Sequence, residues 1–146
     1  MHFRNAKKTG RIDNFTVAGG LEKGGFTGIY FNDSDVFKVI EGAAYTMMMS
    51  DTVDKNLNKY LDDLIEKIGA AQEDDGYLYT ARTINDPEYD YRGKEERWSD
   101  LAHGHELYNV GHMYEAAVAH YEDKEKRNFL DIAIKNADLI CKVFGT

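Results

Sequence analysis

A single cysteine, Cys141, among 146 residues excludes an internal disulfide, and without any CxxC pair there is no cysteine-built structural zinc site. The core alone must hold the fold. Proline is as scarce: Pro87 is the only one, while glycine crowds into the first 28 residues and then scatters singly at turns. That distribution suits a helical body behind a loop-rich N-terminal segment. No apolar run approaches the roughly 20 residues that a membrane-spanning helix needs; the uncharged stretch 42–50 is far too short. A basic excess is also missing. The net charge is -8, and the short clusters Lys7, Lys8, Arg11 and Lys124, Lys126, Arg127 have acidic neighbours, which argues against nucleic acid as a partner. The basic residues after Met1 and His2 lead into no apolar run, so the N-terminus lacks signal-peptide character, and the expectation is a cytoplasmic protein without a membrane partner.

What is there is ordinary for one globular domain: 42% hydrophobic and 30% charged residues. Val36, Val39, Ile40, Ala43, Ala44 and Met47 recur at the spacing of one helix face, predicting a helix over 34–49 with Asp33 or Ser34 as cap. Asp51 offers the next cap, before the clearer stripe Leu57, Tyr60, Leu61, Leu64, Ile65, Ile68, Ala71. So short a connection predicts an antiparallel hairpin. Asp75-Gly76 signals a turn, and Tyr77-Leu78-Tyr79 after it reads as extended. Two further stripes, Leu107, Val110, Tyr114, Ala117, Val118, Tyr121 and Leu130, Ala133, Ala137, Ile140, Cys141, Phe144, predict a second hairpin. The expected organisation is thus one all-α domain over 1–146. It comprises a loop-rich segment 1–32, a hairpin 33–73, a loop 74–103 and a hairpin 104–144. Ending straight after the last helix would leave apolar surface exposed, which favours a part of something larger or a homo-oligomer.

Three of the five histidines lie within residues 103–112. On a helix, His105, Asn109, His112 and Ala116 fall on one stripe, with His120 near it and Leu107, Val110, Tyr114, Val118 and Tyr121 opposite. Such a stripe is either a solvated face or the lining of a polar cavity. Solvated faces are usually filled with Lys, Glu and Arg, and this one has none. Imidazoles and amides supply the mixed donors and acceptors that sugar hydroxyls require. A zinc helix would need a second histidine four residues after the first, and position 109 is asparagine, so no metal site is assigned. Glu41, Asp74, Asp75, Glu106 and Glu115 show no spacing that selects an acid/base pair. Cys141 reads as a buried inert thiol, and Met47-Met48-Met49 as core filling.

Several blocks together carry a family resemblance. They are Thr9-Gly10-Arg11-Ile12-Asp13-Asn14-Phe15, Phe31-Asn32-Asp33-Ser34-Asp35-Val36-Phe37-Lys38, Ile40-Glu41-Gly42-Ala43-Ala44-Tyr45 and Ala71-Gln72 through Asp75-Gly76-Tyr77-Leu78. His105-Glu106-Leu107-Tyr108-Asn109, Gly111-His112 and Glu115-Ala116-Ala117-Val118-Ala119-His120-Tyr121 complete the series. In this order they resemble glycoside hydrolase family 127, the β-L-arabinofuranosidases. The resemblance implies part of a six-hairpin α/α barrel whose inner helices face a sugar pocket. It places a pocket histidine at His105; Asn109 and His112 extend that assignment along the helix face alone. It also implies that the acid/base glutamate, the cysteine nucleophile and the zinc ligands lie beyond this chain's end. Scaffold and L-arabinofuranoside contacts would then be this chain's share of a retaining hydrolysis, with no catalytic residue and no cofactor of its own. The competing expectation is a noncatalytic helical module that binds a carbohydrate or a protein through the same groove.

Overall fold

The computed structural model describes residues 3–145; Met1 and His2 of the N-terminal reading, and Thr146, lie outside it. Every regular element among these residues is a helix: α1 (Phe3–Lys8), α2 (Arg11–Ala18), α3 (Asp33–Met48), α4 (Lys55–Ala71), α5 (Thr80–Ile84), α6 (Glu106–Lys124) and α7 (Asn128–Phe144). The four long helices lie where the apolar periodicity predicts them, because each buries one face. Val36, Phe37, Ile40 and Ala44 of α3, Leu61, Leu64, Ile65 and Ile68 of α4, Met113 and Ala117 of α6 and Phe129 and Ala133 of α7 are all buried. All but Ala44 join one core cluster. That burial, at about 25 cal/mol per Å² of apolar surface, is the main favourable contribution to folding.

The segment expected as loop-rich holds two helices instead. Polar residues disguise α2: Asn14 is buried, but its amide accepts from the Thr27 N–H at 3.0 Å and donates to the Thr27 carbonyl at 2.9 Å. Capping also differs from expectation. Asp54, not Asp51, caps α4, accepting the Leu57 N–H at 2.9 Å. At the start of α3, Asp33 turns inward to Thr80 and Ser34 donates to the Phe31 carbonyl. Of the two expected hairpins only the second forms: α6 and α7 pack on each other, whereas α3 and α4 barely touch, α3 packing most extensively on α6 and α4 on α2.

Three side-chain expectations are corrected. Of the methionine run only Met47 is buried; Met48, the last residue of α3, and Met49 after it are exposed. The buried stripe of α7 runs through Phe129, Ala133, Asn136 and Leu139, which turns Cys141 outward, so its thiol is exposed. Asn136 can face inward because it donates to the Gly76 carbonyl at 2.8 Å and accepts from the Tyr114 hydroxyl at 2.9 Å. The faces of α6 are largely the reverse of those expected. Asn109, Ala116 and His120 are buried with Val110, Met113 and Ala117, while Leu107, Val118 and Tyr121 are exposed.

Candidate functional site

His105 is not the first member of a helical stripe. It is the residue before α6 and sits in the left-handed region, φ 61° and ψ 15°, where a non-glycine residue is uncommon and often functional. The turn preceding it is tightly built. The Gly104 N–H donates to the Asp100 carbonyl at 2.7 Å, and a Cβ at Gly104 would lie 2.7 Å from that same oxygen, which requires glycine. The buried Tyr79 hydroxyl donates to the Gly104 carbonyl at 2.6 Å. His103 is tied at its backbone N–H and its ring to Asp100 Oδ1, both at 3.0 Å.

Around this turn gathers a set of rings. Phe31 stacks on His105 with centroids 4.2 Å and planes 15° apart, and Tyr30 and Tyr108 meet the imidazole edge-on at 5.6 and 5.5 Å. Tyr108 in turn stands edge-on to His112 at 4.7 Å, and Lys38 donates to the Tyr108 hydroxyl at 2.6 Å. The half-buried His112 has Nδ1 3.3 Å from Glu115 Oε2. Of the three histidine-stripe residues, His105 and His112 therefore share this aromatic face. Asn109 is fully buried instead, with no hydrogen-bond partner for either amide atom. In the sequence, Phe31, Lys38 and Tyr108 stand out only as members of the blocks that carry the family resemblance, and Tyr30 does not stand out at all. A cavity of about 890 Å³ between α1 and α3, lined by Arg11, Asp35, Val39 and Thr46, shares Lys38 with the cluster.

Charge behind the face is spent on structure. Glu106 is buried, which raises its pKa above the ordinary value, and its carboxylate accepts from the Tyr77 hydroxyl and, at 2.9 Å, from the Trp98 N–H. Tyr77 is held strongly protonated by burial and by that neighbouring charge. His120 is pushed below the usual histidine range by burial. Among the described residues no group of three or more His, Cys, Asp or Glu side chains could hold a metal ion. The arrangement is an aromatic wall with imidazole, phenol and ammonium groups along it. It can stack on apolar ring faces and exchange hydrogen bonds with hydroxyls, the two needs of a sugar ligand.

Known proteins match this chain along nearly all of its length. A family model described as the beta-L-arabinofuranosidase, GH127 catalytic domain, matches residues 2–146. The chain is 36% identical over 138 residues to the non-reducing end beta-L-arabinofuranosidase of Bifidobacterium longum subsp. longum, a match over 94% of this chain and 20% of that protein. A solved GH127 beta-arabinofuranosidase superposes with a TM-score of 0.86 at 46% identity, over 96% of this chain and 22% of its own. The GH127 beta-L-arabinofuranosidase from Geobacillus stearothermophilus T6 does so at 0.84 and 46%, over 94% and 20%. The chain thus spans about one fifth of the length of these relatives, and its helices fit a partial helical barrel.

Proposed function

The chain belongs to glycoside hydrolase family 127, and from that membership we propose that its aromatic, histidine-bearing face is one wall of a carbohydrate pocket that takes an L-arabinofuranoside unit. The observation that carries this reading is His105, held in a left-handed conformation against Phe31 beside Tyr108 and His112. Strained backbone maintained by surrounding contacts is a mark of functional positions. His105 is the principal sugar contact, with His112 and Tyr108 beside it; Asn109 supports the wall from within. The chemistry of cleavage falls to residues outside this chain. The zinc-held cysteine that the resemblance implies finds no fit here, since Cys141 is exposed on α7 and no described cluster can ligate a metal. No bond-breaking step is assigned to the residues present.

An exchange experiment tests this. The matching fifth of the Geobacillus stearothermophilus enzyme is replaced by this chain, and p-nitrophenyl β-L-arabinofuranoside is supplied to the chimera and to this chain separately. The chimera should hydrolyse it and the chain alone should not; in the chimera His105→Ala should lower kcat/KM by about 100-fold, the scale of losing a hydrogen bond that is strongest in the transition state. A folded but inert chimera, or hydrolysis by the chain alone, would overturn the assignment.

A further inference from the structure

We propose that His105 is a fixed hydrogen-bond acceptor, with the proton held on Nδ1 and the Nε2 lone pair presented to a sugar hydroxyl. This deepens the pocket reading above and rests on it. The key atom is the carbonyl oxygen of His103. It accepts from the Tyr30 hydroxyl at 3.0 Å and contacts the Nδ1 of His105. A carbonyl cannot donate, so that second contact requires the proton on Nδ1. Two donors occupy the two lone pairs of one oxygen. In the neutral imidazole Nε2 is then a bare acceptor, the partner of one nitrogen fixing the role of the other.

The ring cannot easily exchange these roles by turning over. Phe31 covers one face at 4.2 Å, and Tyr30 and Tyr108 bracket it edge-on. The backbone below it is fixed by the Asp100–Gly104 turn and by the Tyr79 bond to the Gly104 carbonyl. No described residue bonds Nε2, and the side chain is only half-buried. Phe31 is therefore a positioning residue, acting on the ligand through His105. The chemical consequence is selective. A hydroxyl, which can donate, satisfies this nitrogen; a carboxylate or an ether oxygen at the same place cannot.

Long-range proton–nitrogen correlation spectra of this chain, labelled at histidine nitrogen and recorded at neutral pH, read the tautomer directly. The His105 signals are those lost in His105→Gln. The expected pattern is a protonated Nδ1 and a bare Nε2; a dominant Nε2–H form, or an averaged mixture, would overturn the proposal. Phe31→Leu should move the pattern toward a mixture and Phe31→Tyr should restore it, whereas an unchanged Phe31→Leu spectrum removes Phe31 from the positioning role. In the chimera described above, which supplies the other walls of the pocket, methyl β-L-arabinofuranoside should then shift Nε2 upfield and leave Nδ1 in place. If the tautomer is as expected but the sugar moves nothing, the pocket reading fails, and with it the hydroxyl partner. If the sugar perturbs His105 while the proton sits on Nε2, the pocket stands and the acceptor assignment fails.

Discussion

The carboxylate of Asp33, wholly buried at the start of α3, accepts both the backbone N–H and the hydroxyl of Thr80, at 2.8 and 2.5 Å. Together they pin α3 to α5. Burial outweighs these two bonds and raises the Asp33 pKa from its ordinary 3.8 to about 6. The folded state thus binds a proton more tightly than the unfolded one. The stability this confers is complete below the unfolded value and is lost as pH rises through about 6. Asp33→Asn retains an acceptor for the Thr80 N–H and a donor for its hydroxyl but cannot ionise. Urea denaturation across pH 4 to 7 should show the variant gaining on the parent by up to about 3 kcal/mol. A difference that stays flat with pH would contradict the burial of this charge.

Arg97 joins two acidic side chains and covers a ring. It pairs with Glu73 and, at 2.6 Å, with Asp75, and its guanidinium lies 4.0 Å from the centre of Tyr77. The hydrogen bond from Arg97 holds Asp75 below the usual carboxylate range. Its contribution is therefore present above the unfolded value and lost on acidification. Lysine cannot reproduce the planar fork, so Arg97→Lys should lower stability by about 1 kcal/mol, a modest figure because these groups are partly in water. The loss should shrink in high salt, which a urea series at two ionic strengths would read.

Glycine substitutions should separate sharply by place. At Gly76 φ is +101°, and an added Cβ would lie 2.4 Å from the Lys135 carbonyl oxygen, backbone that cannot easily yield. Gly76→Ala should cost about 3 kcal/mol or more. Gly111, inside α6, has open space around its Cβ position, and Gly111→Ala should stabilise by about 0.5–1 kcal/mol. Thermal melts of the two variants would show shifts of opposite sign.

Asn109 carries an amide that no described group satisfies. Asn109→Leu, of similar size, should raise stability by about 1 kcal/mol, since a buried unbonded polar group is costly. If the melting temperature falls instead, the amide makes a bond that this geometry does not record.

What the sequence made legible, and what it concealed, divide on physical grounds. Period-3.6 apolar stripes located α3, α4, α6 and α7 because each of them buries one face against the rest. That signal failed in α2, where Asn14 and Thr16 are buried by bonding to backbone rather than by being apolar. It misled in α6, whose inward face uses small and polar residues while Leu107, Val118 and Tyr121 look outward. The ordered blocks identified the family because many matched together, and the family model matches residues 2–146. The conformation of His105 was not readable: a positive φ in a histidine is imposed by Phe31, Tyr30 and the Asp100 turn, which are distant or local in ways that no periodicity encodes.

The preference of α3 for α6 sets an order of events during synthesis. As α3 emerges from the ribosome, its inward side chains Val36, Phe37, Ile40 and Ala44 have α1 and α2 nearby, but their main partner does not yet exist. All of α4, α5 and the long loop to Glu106 must be translated first. Closing so distant a pair is slow beside local helix formation, so nascent chains pass through an interval with an apolar stripe uncovered. During that interval a slowed ribosome prolongs the exposure of the stripe, and a chaperone that covers apolar surface has something to hold.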